Sequence, residues 1–170
     1  MPLDVTLLKK YINPVFIETG SWIGNGIQAA LDAGFFHVYS VDIEPGEYGH
    51  CVERFGSDRR VTLACEDSAA FLARILPGIR GSATVFLDAH CVPRGSPLLR
   101  ELDALVAHKW WVDALLIDDM RMVRGRNDWA RTLVFDEVLD RVRAMGFAVS
   151  WEMGPETGVA EDILVGRRPT

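Results

Sequence analysis

A chain of 170 residues, 49% hydrophobic and 25% charged, can bury a sizeable core without staples and suits one domain, residues 1–170. Its 18 Lys and Arg against 24 Asp and Glu leave a net charge of −6, which argues against a broad nucleic-acid or anionic-membrane footprint. Three cysteines (Cys51, Cys65, Cys91) without a CxxC pair suggest no disulfide framework or thiolate zinc site; with no leader pattern or spanning apolar run, a cytoplasmic protein is expected.

In chain order, Leu3 to Tyr11 reads as a short helix stopped at Asn13-Pro14. Val15 to Glu18 is a buried strand, and Gly26 to Ala33 a helix closed by Gly34. Val38 to Asp42 is a second strand, followed by a helix over Tyr48 to Phe55. Val61 to Ala64 is a third strand, and Cys65 beside it is expected to be a buried small hydrophobe. Ser68 to Leu76 is a helix ended by Pro77-Gly78.

Ala83 to Asp88 is a fourth strand, and the helix from Pro97 to Ala107 carries Leu98, Leu99, Leu102, Leu105 and Val106 near a 3.6-residue period. Ala114 to Asp118 is a fifth strand, and Leu133 to Met145 a helix stopped by Gly146. Phe147 to Glu152 and Asp162 to Val165 leave no room for a helix between them, so they pair antiparallel around Gly154 to Gly158. Together these elements predict an α/β fold: a doubly wound, Rossmann-like open sheet of about seven strands, mostly parallel, with an antiparallel C-terminal hairpin strand.

Such sheets bind ligands beyond the carboxyl ends of the strands, where the strand order reverses. After strand one comes Glu18-Thr19-Gly20-Ser21-Trp22-Ile23-Gly24-Asn25-Gly26, whose glycines permit a tight turn and close backbone approach. Its spacing is not the G-x-G-x-x-G of a dinucleotide site, and it has no P-loop Lys. Asp42, about 20 residues on, can hydrogen-bond both hydroxyls of a ribose. Glu66-Asp67-Ser68 follows strand three, either capping the next helix or touching an adenine.

Asp88-Ala-His90 follows strand four and Asp118-Asp119 follows strand five. Converging carboxylates repel unless protonated, hydrogen-bonded or bridged by a cation such as Mg²⁺. His90 can serve as a general base or a ligand. Arg121, Arg124, Arg126, Trp129 and Arg131 read as a solvated charged loop anchored by Trp129, with an acceptor lid as the alternative. Trp110 and Trp111 are expected to be packing residues.

The glycine turn, Asp42, Glu66-Asp67 and the closing hairpin together resemble the class I S-adenosylmethionine-dependent methyltransferases, from about Val15 to Val165. The resemblance implies S-adenosylmethionine as cofactor. Glu18 and Gly20 would face its methionine portion, Thr19 and Ser21 would belong to the same cofactor-binding turn, and Trp22 would sit beside the cofactor or gate its pocket. Gly24 and Gly26 would allow close approach, Asp42 would hold the ribose, and Glu66, Asp67 and Ser68 would lie near the adenine. Leu87-Asp88-Ala-His90 with Ile117-Asp118-Asp119 is similar to the metal-dependent sugar O-methyltransferases related to macrocin O-methyltransferase. There Asp88, Asp118 and Asp119 would bind Mg²⁺, Asp88 would also border the cofactor, and His90 would occupy the base position.

Two departures stand out: a histidine where that group has an aspartate, and few residues ahead of strand one to cover an acceptor. The runs IETG, GNGIQ, LDAH and LIDD also resemble small relatives that imply no acceptor. The expected activity is O-methylation of a small hydroxylated acceptor, with no nucleic-acid or membrane partner. The alternatives are a non-catalytic cofactor-binding or homo-oligomer-forming module and, more remotely, an NAD-dependent enzyme.

Overall fold

The computed structural model describes residues 3–90 and 95–169. Cys91 lies outside the described residues. Five parallel strands, β1 (Val15–Thr19), β2 (His37–Asp42), β3 (Val61–Cys65), β4 (Ala83–Leu87) and β5 (Val112–Ile117), run with β6 (Ala148–Glu152) and β7 (Ile163–Arg167) in one seven-stranded sheet. Its order is β3-β2-β1-β4-β5-β7-β6. β7 pairs antiparallel with both β5 and β6, so the hairpin inserts its second strand between the sheet and its own first strand.

Both faces of the sheet are covered, as the alternation of side chains along buried strands requires. Val15 and Ile17, Val85 and Leu87, and Leu115 and Ile117 face one core, shared with helices α4 (Ser68–Ile75), α5 (Leu98–Ala107) and α7 (Phe135–Ala144). Phe16, Phe86 and Leu116 face the other, beneath α1 (Val5–Lys9), α2 (Asn25–Ala33) and α3 (Pro45–Phe55). Strand order reverses between β1 and β4, which places the switch point beside Thr19-Gly20 and Asp88.

Several local expectations are corrected. Helix α3 starts at Pro45, not Tyr48, because a proline in the first turn needs no N–H partner there. The Arg121 to Arg131 stretch is not one loop but helix α6 (Met120–Gly125) and a 3-10 turn at Asp128–Ala130. Cys65 is exposed, since it ends β3 at the sheet's edge. Trp110 is 72% exposed; it sits in the 3-10 turn before β5 and carries Lys109 and Arg168 over its ring instead of packing in the core. No helix among the described residues is long and apolar enough to cross a membrane.

Candidate functional site

A cavity of about 570 Å³ opens over the carboxyl ends of the parallel strands, within the range usual for small-molecule sites. Of the residues expected there, Gly20, Trp22, Asp42, Glu66, Asp67, Ser68, Asp88, His90, Asp118 and Asp119 line it. Glu18, Thr19, Ser21, Gly24 and Gly26 do not.

Those five lie beneath the loop and shape it from behind. Glu18 is buried at the end of β1, where Ser40 donates to its Oε2 at 2.6 Å and shares a second hydrogen bond of 2.6 Å with Ser21. Burial lifts the Glu18 carboxyl to about 8, against the lowering effect of the Ser40 bond. A Cβ at Gly26 would overlap Glu18 Oε1, and one at Gly24 would stand 2.6 Å from the Phe55 ring. Gly20, at φ +83°, would meet Asp88 O at 2.7 Å. The glycine pattern therefore answers to packing against Glu18, α3 and the β4 loop, and only Gly20 fronts the cavity.

At one end of the cavity Trp22 adopts φ 44°, a backbone conformation strained for a bulky residue, and is 56% exposed. Its N–H donates to Asp42 Oδ2 at 2.9 Å, and Glu44 N donates to Asp42 Oδ1 at 3.0 Å. Asp42 is thus fixed in place with lone pairs left for a ligand. Asp67 both caps α4, through Ala70 N at 3.1 Å, and receives Arg100 bidentately at 3.1 and 2.9 Å. The Arg100 guanidinium holds the Asp67 carboxyl below its usual range. Glu66 pairs with Arg74.

The other end is more acidic. Burial, with Asp118 and Asp119 nearby, raises the Asp88 carboxyl well above its ordinary value. Asp118 is lifted to about 7, chiefly by burial, although its Oδ1 accepts Asp119 N at 2.8 Å. Asp119 occupies the left-handed region at φ 58°. His90 places Nδ1 3.1 Å from the carbonyl of Asp88; since a carbonyl only accepts, Nδ1 carries the proton and Nε2 keeps its lone pair. Trp129 stacks on the ring with centroids 4.3 Å apart, and burial lowers the imidazole's pKa.

Sequence reasoning missed Asp162 and Glu101, and it gave Arg121 only a place in a charged loop or lid. Asp162, fully buried at the start of β7, accepts from Arg121 N, Arg121 Nη1 and Thr157 Oγ1, tying the hairpin loop to α6 as the cavity's far wall. Arg121 also pairs with Asp119, and Glu101 is buried behind the site. Glu101 had a readable signal, a charge on the apolar face of its helix, whereas Asp162 and Arg121 meet only through β5–β7 pairing.

The three aspartates expected to bind a metal are divided between two groups. Asp88, His90 and Asp119 each offer a ligand atom within 4.8 Å of one another, and so do Asp118, Asp119 and Asp162. The second group already encloses the Arg121 cation on Asp119 and Asp162.

No protein-family model and no curated protein sequence matches the chain. Solved structures do. The SAH-bound methyltransferase PaMTH1 of Podospora anserina superposes with a TM-score of 0.67 at 13% identity, over 98% of this chain and 76% of that one. The methyltransferase domain of bacterial CtHen1 gives 0.60 at 17% identity, over 96% and 94%. An O-methyltransferase from Bacillus cereus in complex with SAH gives 0.63 at 13% identity, over 96% and 78%. The chain has the Rossmann-like methyltransferase fold.

Proposed function

We propose that the protein is an S-adenosylmethionine-dependent methyltransferase acting on an oxygen of a small hydroxylated acceptor. The charge of the cavity carries this reading. Its two lining arginines are engaged, Arg100 by Asp67 and Arg121 by Asp119 and Asp162. Among the described lining residues no other Lys or Arg is present to hold a phosphate. Such a wall suits a nucleoside that lacks phosphates and carries a positive charge, and it disfavours a dinucleotide. The SAH bound by two neighbours of the same fold supports the same choice.

In this reading Asp42 holds the ribose, Asp67 and Ser68 border the adenine, and the sulfonium lies over Gly20 and Asp88 at the switch point. The acceptor oxygen attacks the methyl carbon, the sulfur keeps the bonding pair, and the acceptor's proton passes to His90 Nε2. Trp129 fixes the imidazole plane, and its lowered pKa leaves it neutral and able to take that proton. Of the residues expected to hold a divalent ion, Asp88 and Asp119 share a corner with His90 and would hold it; bound there, it would lower the acceptor hydroxyl's pKa.

Isothermal titration with S-adenosylhomocysteine and with NAD tests the cofactor. Binding of the first alone is expected; binding of NAD alone would overturn the reading. Repeating the titration with Mg²⁺ and with EDTA tests the ion.

A further inference from the structure

Helix α5 turns Leu98, Glu101, Leu102 and Leu105 into the core, so a glutamate fills a position the helical period reserves for an apolar side chain. Glu101 is 0% exposed, and neither carboxylate oxygen has a hydrogen-bond partner. The Thr19 and Ser68 hydroxyls lie beside it and act against the rise that burial imposes on its carboxyl, but neither meets it at full hydrogen-bond geometry, and Thr19 Oγ1 is itself unpartnered. Two other buried acids near the cavity are provided for, Glu18 by Ser40 and Asp162 by Arg121 and Thr157; Glu47, half-buried in the cavity wall, leaves one oxygen unpartnered, but only Glu101 leaves both. An unsatisfied buried carboxyl destabilises a fold, and such a group persists where it serves a site.

Its place suggests which part of the site. Thr19 ends β1 and Ser68 opens α4, so Glu101 sits under the floor at the switch point. It walls a small cavity together with Asp88, His90 and Asp118, and its charge bears on Asp88. The other charged groups facing it are Asp67 and Arg100, which pair with each other. Glu101 does not line the large cavity, so a ligand there feels its field without touching it.

We propose that Glu101 is a buried counter-charge for the sulfonium of S-adenosylmethionine, a specificity-determining residue that favours the charged donor over the neutral product. This rests on the cofactor reading given above. Donor and product differ by one methyl group and one positive charge, and only the donor gains from a fixed negative charge beneath it. Sealed from water, the Glu101 carboxylate acts through a low dielectric and is little screened. Once the methyl leaves, the attraction ends, which eases product release.

The test is calorimetric titration of the wild type, Glu101→Gln and Glu101→Met with S-adenosylmethionine and S-adenosylhomocysteine at pH 8, above the value of about 7 to which burial lifts this carboxyl. In both variants the donor-to-product affinity ratio is expected to fall on the order of tenfold, through the donor alone. Glu101→Met removes the unpartnered atoms, so thermal unfolding is expected to show it at least as stable as wild type. An unchanged ratio, or equal weakening of both ligands, overturns the proposal. If the wild type binds neither ligand, the cofactor reading itself fails.

Discussion

Replacing Gly26 by Ala isolates the packing that shapes the loop. Gly26 is the second residue of α2, where Ala should be favoured by about 1 kcal/mol. The structure predicts the opposite sign. An added Cβ would overlap Glu18 Oε1 and stand 2.8 Å from Glu18 Cδ. The carboxyl has no free path outward, being 3% exposed and held by Ser40, which is itself bonded to Ser21. Overpacking costs about 1–3 kcal/mol, and breaking the buried hydrogen bond about as much again.

After the helix gain is subtracted, Gly26→Ala should lose about 1–5 kcal/mol, lowering Tm by roughly 2–20 °C in a domain of this size. Urea unfolding followed by tryptophan fluorescence measures it. Glu18→Ala in the same background removes the obstacle, so the double variant should be no less stable than Glu18→Ala alone. A Gly26→Ala protein within about 0.5 kcal/mol of wild type, or strict additivity in the cycle, would refute the reasoning.

The other predictions concern charge. Asp42→Ala should weaken S-adenosylhomocysteine binding by about 10- to 100-fold in calorimetry, the loss of a charge-assisted pair of hydrogen bonds; unchanged affinity would place the ribose elsewhere. Arg121→Ala leaves Asp162 buried without its cation and should cost about 2–4 kcal/mol by chemical denaturation. The folded state raises Glu18 to about 8 and Glu101 and Asp118 to about 7, so it binds more protons than the unfolded chain above pH 4.5. Stability should therefore fall as pH rises from about 5 to 8, and Glu18→Gln should flatten the upper part of that decline; a profile that rises over this window would contradict the assignment. His90→Ala should abolish turnover of an acceptor while sparing cofactor affinity, and retained turnover would remove His90 as the base.

The place of every strand along the chain could be read from the sequence, because continuous apolar runs such as Val15-Phe-Ile and Ala114-Leu-Leu-Ile are satisfied in a sheet covered on both sides; the insertion of β7 between β5 and β6 could not. The same rule located Asp42, Asp88 and Asp118, since a side chain just past a parallel strand must face the ligand edge of the sheet. Helix α6 was hidden by its composition: Met120, Arg121, Met122, Val123 and Arg124 form too short a stretch to show a period, and the segment is held by tertiary contacts.

What the sequence determined, then, is a doubly wound sheet with acidic residues at its ligand edge. What only the tertiary structure decided is the job each of those residues does. Gly24 and Gly26 make room for Phe55 and Glu18. Asp119 shares Arg121 with Asp162, 43 residues on, while its carboxylate also lies in one cluster with Asp88 and His90. Glu101 changes from a charge on a helix to an unpaired carboxyl under the switch point. The physical reason is common to all three: a strand or helix period fixes the direction of a side chain, but its partner and its dielectric depend on what the chain brings back from elsewhere.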